Sequence, residues 1–141
     1  MDRSASAIWR GGLKDGKGTI STQSGILKDA KYSFSTRFEN EAGTNPEELV
    51  AAAHAGCFSM ALSMILGEAG FTPDSIETKA VATIEKTSDG FTVTKIHLTT
   101  RAKIPNIDKA KFDELAKKAK EGCPISKLLK AAEITLDAQL V

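Results

Sequence analysis

Two cysteines, Cys57 and Cys123, are the side chains with the clearest capacity for chemistry in this chain of 141 residues. A thiolate is a nucleophile, and a second thiol can condense with its oxidised form to give a disulfide. Cys57 falls in an uncharged stretch, where a free cysteine usually packs as an inert apolar residue. Cys123 precedes Pro124 and is a candidate helix N-cap, where the helix N-terminus favours a thiolate. From the residues alone, each cysteine is open to a catalytic or a purely structural interpretation.

Three further side chains could serve these thiols. His54 lies three residues before Cys57, so on a helix the two share a face, either as base and nucleophile or as packing neighbours. Arg37 is either solvated or placed to stabilise a thiolate by its charge. Glu47 lies in the first turn of a predicted helix, and the favourable interaction of an acid with the positive helix end is enough to explain its presence there. His97 is expected on the surface, and two histidines and two cysteines this scattered make a weak metal set.

Composition and spacing exclude several classes of function. Nineteen Lys and Arg against eighteen Asp and Glu give a net charge of +1, which provides no basic field for nucleic acid, so small or uncharged partners are expected. Residues 1–8 lack a basic leader and an apolar segment of signal-peptide length, so a cytoplasmic protein is expected. The cysteines are sixty-six positions apart, too far for a Cys-x-x-Cys motif. Residues 11–18 are rich in glycine, but Gly18 replaces the Ser or Thr of a phosphate loop, so a turn is predicted.

The element expected to position the first cysteine is a long helix. Asn45 is its predicted N-cap, Pro46 its first residue, Glu48 part of a capping box, and Gly70 its end. No charged residue lies between positions 49 and 66, and small or apolar side chains occur on every face, so the helix should be surrounded by protein. Its short apolar run and many small residues argue against a membrane span. The alanine-rich first half would allow a second backbone to approach closely.

The remaining elements follow from alternation, turn residues and caps. Strands are predicted at residues 7–10, 18–22, 32–38, 76–85, 91–103 and 134–140, with helices at 108–122 and directly after Cys123. Arg37 is thereby placed on the third strand, on the face opposite its aromatic residues. Interrupted alternation in residues 91–103 indicates a bulge or burial on both faces. The order of elements is that of a single α+β domain over residues 1–141.

Five motifs give the chain a family resemblance. They are Arg37-Phe38-Glu39, Asn45-Pro46-Glu47-Glu48-Leu49, His54-Ala55-Gly56-Cys57-Phe58, Gly70-Phe71-Thr72-Pro73 and Gly122-Cys123-Pro124-Ile125-Ser126. At these spacings the chain resembles the osmotically inducible protein C (OsmC) family over essentially its whole length. The arginine at position 37 and the run that begins at Asn45 resemble the OsmC branch more than the related organic hydroperoxide resistance (Ohr) branch.

The resemblance implies a thiol peroxidase with an OsmC-like α+β fold, an intertwined homodimer in which antiparallel sheets wrap long central helices. By position, Cys57 matches the peroxidatic cysteine, Cys123 the resolving cysteine, Arg37 the arginine that holds the thiolate, and Glu47 the acid that orients this arginine. Members need no metal or organic cofactor, and a dithiol reductant regenerates them. The implied substrate is an organic hydroperoxide, with hydrogen peroxide reduced more weakly, and the implied role is defence against oxidative and osmotic stress.

Two alternatives from other classes stay open beside the peroxidase. A cysteine hydrolase would use His54 and Cys57, and it would need a third residue to orient the imidazole, which is not identifiable in the sequence. A non-enzymatic dimeric stress protein would bind an apolar ligand between its helices. For the peroxidase, apolar walls from Phe58, Met60 and Leu62, or from the partner chain, would suit an organic hydroperoxide. Neither a membrane nor a nucleic acid is an expected partner.

Helix geometry adds one constraint on the implied site. Ten residues separate Glu47 from Cys57, which places them about 15 Å apart along the axis of a regular helix. A glutamate side chain does not span that distance. If Glu47 and Arg37 serve the Cys57 thiolate, we expect them to come from the partner subunit, whose helix would run antiparallel.

Overall fold

The computed structural model describes residues 1–141, with six β-strands and four α-helices. This mixture of elements confirms the predicted α+β fold class. The chain divides into two compact units, Met1–Leu49 and Val50–Val141. The assignment of residues 1–141 to one domain stays a prediction.

The first unit is built on an antiparallel sheet of three strands, in the order β1 (Ala5–Arg10), β2 (Lys17–Thr22) and β3 (Ala30–Tyr32). The glycine-rich segment between β1 and β2 is the predicted turn. Gly11 has a φ of +94°, a left-handed conformation that suits glycine, and the Gly16 N–H donates to the Gly12 carbonyl oxygen at 2.8 Å. A strand follows this turn, and a phosphate loop would require a helix there.

Gly18, in the middle strand, lies opposite Trp9 of β1 and Tyr32 of β3. The ring centroids of Trp9 and Tyr32 are 5.4 Å apart. A Cβ atom at position 18 would clash with the Tyr32 ring and would lie 2.7 Å from the Ile8 carbonyl oxygen. The missing side chain therefore lets aromatic rings from the two outer strands meet across the middle strand.

Arg37 lies in a short helix, α1 (Phe34–Phe38), so the prediction that placed it on the third strand is wrong. The helix begins with a capping box. In this box Ser33 Oγ accepts from the Thr36 N–H at 3.1 Å, and the Ser33 N–H donates to Thr36 Oγ1 at 2.8 Å. These two bonds satisfy backbone groups that a helix start otherwise leaves unpaired. The third strand consequently ends at Tyr32.

The spacing of the aromatic residues explains this error. Phe34 and Phe38 stand about one helical turn apart, with ring centroids separated by 4.9 Å. Side chains four positions apart share one side of a helix, and they also share one side of a strand, because four is a multiple of the strand period of two. The capping box, rather than the aromatic pattern, distinguishes the two structures here.

Helix α2 (Pro46–Glu68) is a single helix of 23 residues, as predicted. Asn45 caps its first turn, since Asn45 Oδ1 accepts from the Glu48 N–H at 2.8 Å. Glu47 and Glu48 place negative charge at the positive end of the helix. The helix stops two residues before Gly70, which has a φ of +86°. The predicted cap and the predicted stop are both confirmed.

The surface of α2 is only partly covered within one chain. Phe58 and Leu62 are completely buried, whereas Met60 and Met64 are 77% and 60% exposed. The expectation of a helix surrounded on every face is therefore not met by this chain alone. Length and composition would allow α2 to cross a membrane, a test that the core helix of a soluble protein also passes. The argument against a span from a short apolar run does not hold.

The second unit contains a sheet in the order β4 (Ser75–Thr87), β5 (Gly90–Lys103) and β6 (Glu133–Leu140). β4 and β5 form the predicted antiparallel hairpin, with Gly90 at a φ of +103°. Thr94 has no opposite residue in β4, which is the predicted bulge. β6 pairs with β5 in parallel, so the expectation of antiparallel sheets is wrong for this pair. The chain between them passes through two helices, a connection long enough for a parallel crossover.

The two helices of this connection are α3 (Lys109–Gly122) and α4 (Pro124–Leu128), as predicted. Asp108 caps α3, because its Oδ1 accepts from the Lys111 N–H at 2.8 Å. The core of the second unit joins three elements. It contains Phe58, Leu62 and Leu66 of α2, Leu98 and Ala102 of β5, and Phe112, Leu115, Ala116 and Ala119 of α3. This core fixes α2 and the end of α3 within one packed unit.

Gly18 provides a test of the first unit. We expect Gly18→Ala to lower the free energy of unfolding by about 1–3 kcal/mol, the usual range for overpacking, because the added methyl group displaces Tyr32. Urea unfolding followed by the fluorescence of Trp9, the single tryptophan, measures the change. Gly122→Ala is the matched control, since no atom lies within 4 Å of a Cβ there. Equal stability of wild type and Gly18→Ala would contradict the packing described for this sheet.

Candidate active site

The sulfur atoms of Cys57 and Cys123 are 2.9 Å apart, and both cysteines are free thiols. Cys57 is partly buried on α2, whereas Cys123 is fully buried. Sulfurs in a disulfide are about 2.05 Å apart, so bond formation requires an approach of less than about 1 Å. The structure thus brings together, within the second unit, the two thiols singled out in the sequence.

Cys123 is held by the junction between two helices. Its N–H donates to the Ala119 carbonyl oxygen at 2.9 Å, and its own carbonyl oxygen accepts from the Lys127 N–H at 3.0 Å. It is the N-cap residue of α4, as predicted, but its thiol makes no capping hydrogen bond to that helix. The sulfur is therefore directed to Cys57, while the fixed φ of Pro124 restrains the backbone beside it.

The surroundings of Cys57 disfavour its ionisation. Burial raises the pKa of its thiol above the ordinary value, and the hydrogen bond and charge of Cys123 raise it further, whereas a hydrogen bond with the Ile125 backbone lowers it. The thiolate is the reactive form of cysteine. The pair of thiols therefore needs a nearby cation to favour the thiolate of Cys57 at neutral pH.

Arg37 and Glu47 form an ion pair in the first unit. Arg37 Nε donates to both carboxylate oxygens of Glu47 at 3.1 Å, and Nη2 donates to Oε1 at 2.6 Å. The Glu47 side chain is 10% exposed and the Arg37 side chain is 36% exposed. The guanidinium also stands over the ring of Phe38, 5.1 Å from its centroid. Because the bonds to Glu47 use Nε and Nη2, Nη1 is left for another acceptor.

An apolar cleft of about 310 Å³ adjoins Arg37 in the first unit. Its walls include Trp9, Leu13, Tyr32, Phe34 and Phe38. The sequence does not reveal this cleft, because its residues come from three separate segments and residues 34–38, predicted as strand, form a helix. The walls expected from Phe58 and Leu62 are absent, since both side chains lie in the core, while Met60 is exposed.

His54 is fully buried, and its Nε2 lies 2.7 Å from Ser126 Oγ. Its Nδ1 has no hydrogen-bond partner, so neither ring nitrogen bonds Cys57. Burial lowers the pKa of the imidazole below its ordinary value of 6.5, so the ring is neutral at pH 7. The hydrolase alternative, in which His54 activates Cys57, lacks the contact that it requires. Ser126 closes one of the five motifs, but the sequence assigns it no role, although it follows Cys123 by the same three positions by which His54 precedes Cys57.

The predicted site residues thus form two pairs. Cys57 and Cys123 meet in the second unit, and Arg37 and Glu47 meet in the first unit. His97 is exposed, as predicted, and its Nδ1 lies 2.6 Å from Thr135 Oγ1. No group of three or more His, Cys, Asp or Glu side chains is arranged to hold a metal ion.

Two free thiols in contact, one from a helix and one from a helix junction, define the class of protein: an α+β protein with a dithiol redox site. The OsmC-like protein family matches residues 38–138 of the chain. The chain is 57% identical over 140 residues to peroxiredoxin OsmC of Escherichia coli (strain K12), covering 99% of this chain and 97% of that protein. The chain therefore belongs to the OsmC family, as its motifs indicated.

Other relatives agree with this membership. The organic hydroperoxide resistance protein OhrB of Bacillus subtilis (strain 168) is 34% identical over 110 residues, which cover 78% of this chain and 79% of that protein. The crystal structure of OhrB covers 98% of both chains with a TM-score of 0.68 and 28% identity. An OsmC-like protein from Mycoplasma pneumoniae covers 100% of this chain and 98% of its own, with a TM-score of 0.77 and 15% identity. That last likeness is one of fold alone. The higher identity to OsmC than to OhrB agrees with the OsmC branch.

The buried histidine makes stability depend on pH. Because the pKa of His54 is lowered in the folded state, the unfolded chain binds a proton that the folded chain does not as the pH falls below about 6.5. We expect the free energy of unfolding, measured with urea at a fixed protein concentration, to fall between pH 7.5 and pH 5.5. The fall should be smaller in His54→Gln and unchanged in His97→Gln, whose side chain is exposed. An identical fall in His54→Gln and wild type would contradict a buried neutral imidazole.

Proposed function

We propose that this protein is a cysteine-based peroxidase that reduces organic hydroperoxides to alcohols, and hydrogen peroxide more weakly. The observation that carries the proposal is the 2.9 Å contact between the Cys57 and Cys123 sulfurs. Two thiols at this distance can pass from a sulfenic acid to a disulfide without rearrangement of the fold. The name of the Escherichia coli relative, peroxiredoxin OsmC, supports the same activity, and that of OhrB supports an organic hydroperoxide as substrate.

Cys57 is the residue that attacks the peroxide, because it is the more exposed of the two thiols. Its thiolate attacks the terminal oxygen, a sulfur–oxygen bond forms, and the oxygen–oxygen bond breaks. The departing alkoxide takes a proton and leaves as the alcohol, while Cys57 becomes a sulfenic acid. The sulfur loses two electrons in this step and the peroxide gains them.

Cys123 resolves the sulfenic acid. Its thiol attacks the Cys57 sulfur, a sulfur–sulfur bond forms, the sulfur–oxygen bond breaks, and the hydroxyl group leaves as water. An external dithiol then reduces the disulfide by thiol–disulfide exchange and restores both thiols. The cycle uses no metal and no organic cofactor.

Arg37 supplies the cation that the Cys57 thiolate requires, and Glu47 fixes its orientation. A guanidinium beside the sulfur lowers the energy of the thiolate and of the departing alkoxide. Because ten residues of α2 separate Glu47 from Cys57, about 15 Å along the axis, we assign these two roles to the partner's Arg37 and the partner's Glu47 in a homodimer. A second copy would also cover the exposed Met60 and Met64 of α2.

The apolar cleft beside Arg37 suits the organic part of a hydroperoxide. Its mostly apolar, aromatic walls favour an organic group over the small polar hydrogen peroxide. We place this activity in the cytoplasm, in defence against oxidative and osmotic stress, where a reducing environment supplies dithiols.

The first experiment separates the roles of the two cysteines. We expect Cys57→Ser to abolish reduction of cumene hydroperoxide, because the attacking sulfur is gone. Cys123→Ser should complete one turnover and then stop at the sulfenic acid or oxidise further. Peroxide consumption with a dithiol reductant and the mass of the protein after reaction measure both outcomes. Multiple turnover by Cys57→Ser would refute the assignment.

The second experiment tests whether Arg37 is supplied by the partner. Arg37→Ala and Cys57→Ser are expected to be inactive alone, whereas a heterodimer of the two has one site that contains both wild-type residues. Mixing and refolding should therefore recover about half the sites of each heterodimer. Differently tagged subunits, purified on both tags, establish that heterodimers have formed. If such heterodimers are as inactive as their parents, Arg37 and Cys57 of one chain act together.

A further inference from the structure

The hydrogen bond between His54 and Ser126 is a further contact between the two elements that carry the thiols. His54 Nε2 and Ser126 Oγ are 2.7 Å apart, and the residues are 0% and 4% exposed. His54 lies three residues before Cys57 on α2, and Ser126 lies three residues after Cys123 on α4. The proposed reaction uses neither side chain directly.

This hydrogen bond and the contact between the sulfurs are adjacent cross-links between α2 and α4. The sulfur contact and the hydrogen bond of Cys57 with the Ile125 backbone both act at Cys57, so they hold α4, a helix of five residues, at one point of α2 only. A hydrogen bond about one helical turn away fixes a second point and restricts rotation of α4 about the first. Because a buried polar group without a partner is costly, the orientation that satisfies Ser126 is favoured, and in this orientation Cys123 faces Cys57.

The surroundings of the pair exclude a direct chemical role. A serine activated by a histidine needs an acid on the far ring nitrogen and access for substrate. His54 Nδ1 has no partner, and both side chains are buried. The imidazole does not bond Cys57 either, so it is not the base for that thiol. A role in holding α4 is the one that fits the contacts.

We infer that the His54–Ser126 hydrogen bond is a positioning pair for disulfide formation, which keeps Cys123 within reach of the Cys57 sulfur after that sulfur is oxidised. The inference rests on the proposed peroxidase. The sulfenic acid of Cys57 has two fates. Attack by the Cys123 thiol forms a sulfur–sulfur bond and releases water. Reaction with a second hydroperoxide forms another sulfur–oxygen bond, breaks the oxygen–oxygen bond, and gives a sulfinic acid and an alcohol. The positioning pair favours the first fate.

The test measures the two steps separately in Ser126→Ala. Formation of the sulfenic acid in the first turnover should keep the wild-type rate, because the Ser126 side chain bonds to His54 and makes no hydrogen bond to Cys57. Conversion to the disulfide should slow about tenfold, the effect of losing one buried hydrogen bond. At high cumene hydroperoxide the yield of sulfinic acid should rise. Stopped-flow kinetics and quenched-flow mass spectrometry, which separates sulfinic acid from disulfide by mass, provide these values.

Four further variants establish that the hydrogen bond is the cause. Ser126→Thr keeps a hydroxyl and should restore the disulfide rate. His54→Phe breaks the same bond from α2, and the double variant with Ser126→Ala should be no slower than either single variant. Ser59→Ala is the matched control, since Ser59 Oγ also ties α2 to another element, donating to Thr78 Oγ1 at 2.8 Å. It should leave the yield of sulfinic acid unchanged.

Equal disulfide rates in wild type and Ser126→Ala would overturn the inference. Equal slowing of both steps would also overturn it, since the bond would then support the fold in general. Thermal unfolding of each sample identifies a variant that is unfolded at the assay temperature. If Ser126→Ala is unfolded, the disulfide rates of the two single variants His54→Phe and Ser126→Thr decide whether the hydrogen bond positions Cys123. If wild type itself forms neither sulfenic acid nor disulfide with cumene hydroperoxide, the proposed function fails, and this inference fails with it.

Discussion

The contact between two sulfur atoms from distant parts of the chain is the constraint on which the structure depends. Cys57 comes from the middle of a long helix, and Cys123 comes from a helix junction sixty-six residues later. Neither position is set by local sequence, because both depend on the packing of α2 against β5 and α3 in one core. The parallel pairing of β6 with β5 completes that unit, since the crossover through α3 and α4 returns the chain to β5, where Glu133 lies opposite Lys95.

The site requires two sulfurs in contact and an ionised Cys57, and burial has opposite effects on these two requirements. Packing around the thiols keeps the two sulfurs in contact, but burial also raises the pKa of Cys57 and so opposes the reactive thiolate. A cation offsets this effect only if its direction is fixed. Glu47 and Phe38 restrict the orientation of the Arg37 guanidinium. The carboxylate also reduces the net charge of the pair, so in the proposed site Glu47 would act by fixing the direction of the guanidinium.

The sequence predicts most of the local structure and only part of the site. Caps at Asn45 and Asp108 and the alternation of the last strand are local signals, and the structure bears them out. The error at Arg37 arose where helix and strand periods coincide, and the direction of β6 depends on a crossover that no local pattern encodes. The cysteines were recognisable by residue type and by family resemblance. The pairing of Ser126 with His54 was not recognisable, because it arises only from the contact between α2 and α4.

The exposed apolar side of α2 could be covered by lipid or by a second copy of the chain. A helix with apolar side chains on every face gains by burying them all, and Met60 and Met64 remain 77% and 60% exposed. Lipid is one possible cover by length and composition alone. However, a sheet and α3 are packed on the other side of this helix, and α3 carries an outer row of lysines, which hydrocarbon would leave without water. A second copy of the chain would cover the methionines without that penalty, and the small side chains that precede them on α2 would let its backbone approach closely. The apolar surface of α2 therefore explains its membrane-like composition and supports the homodimer that we propose.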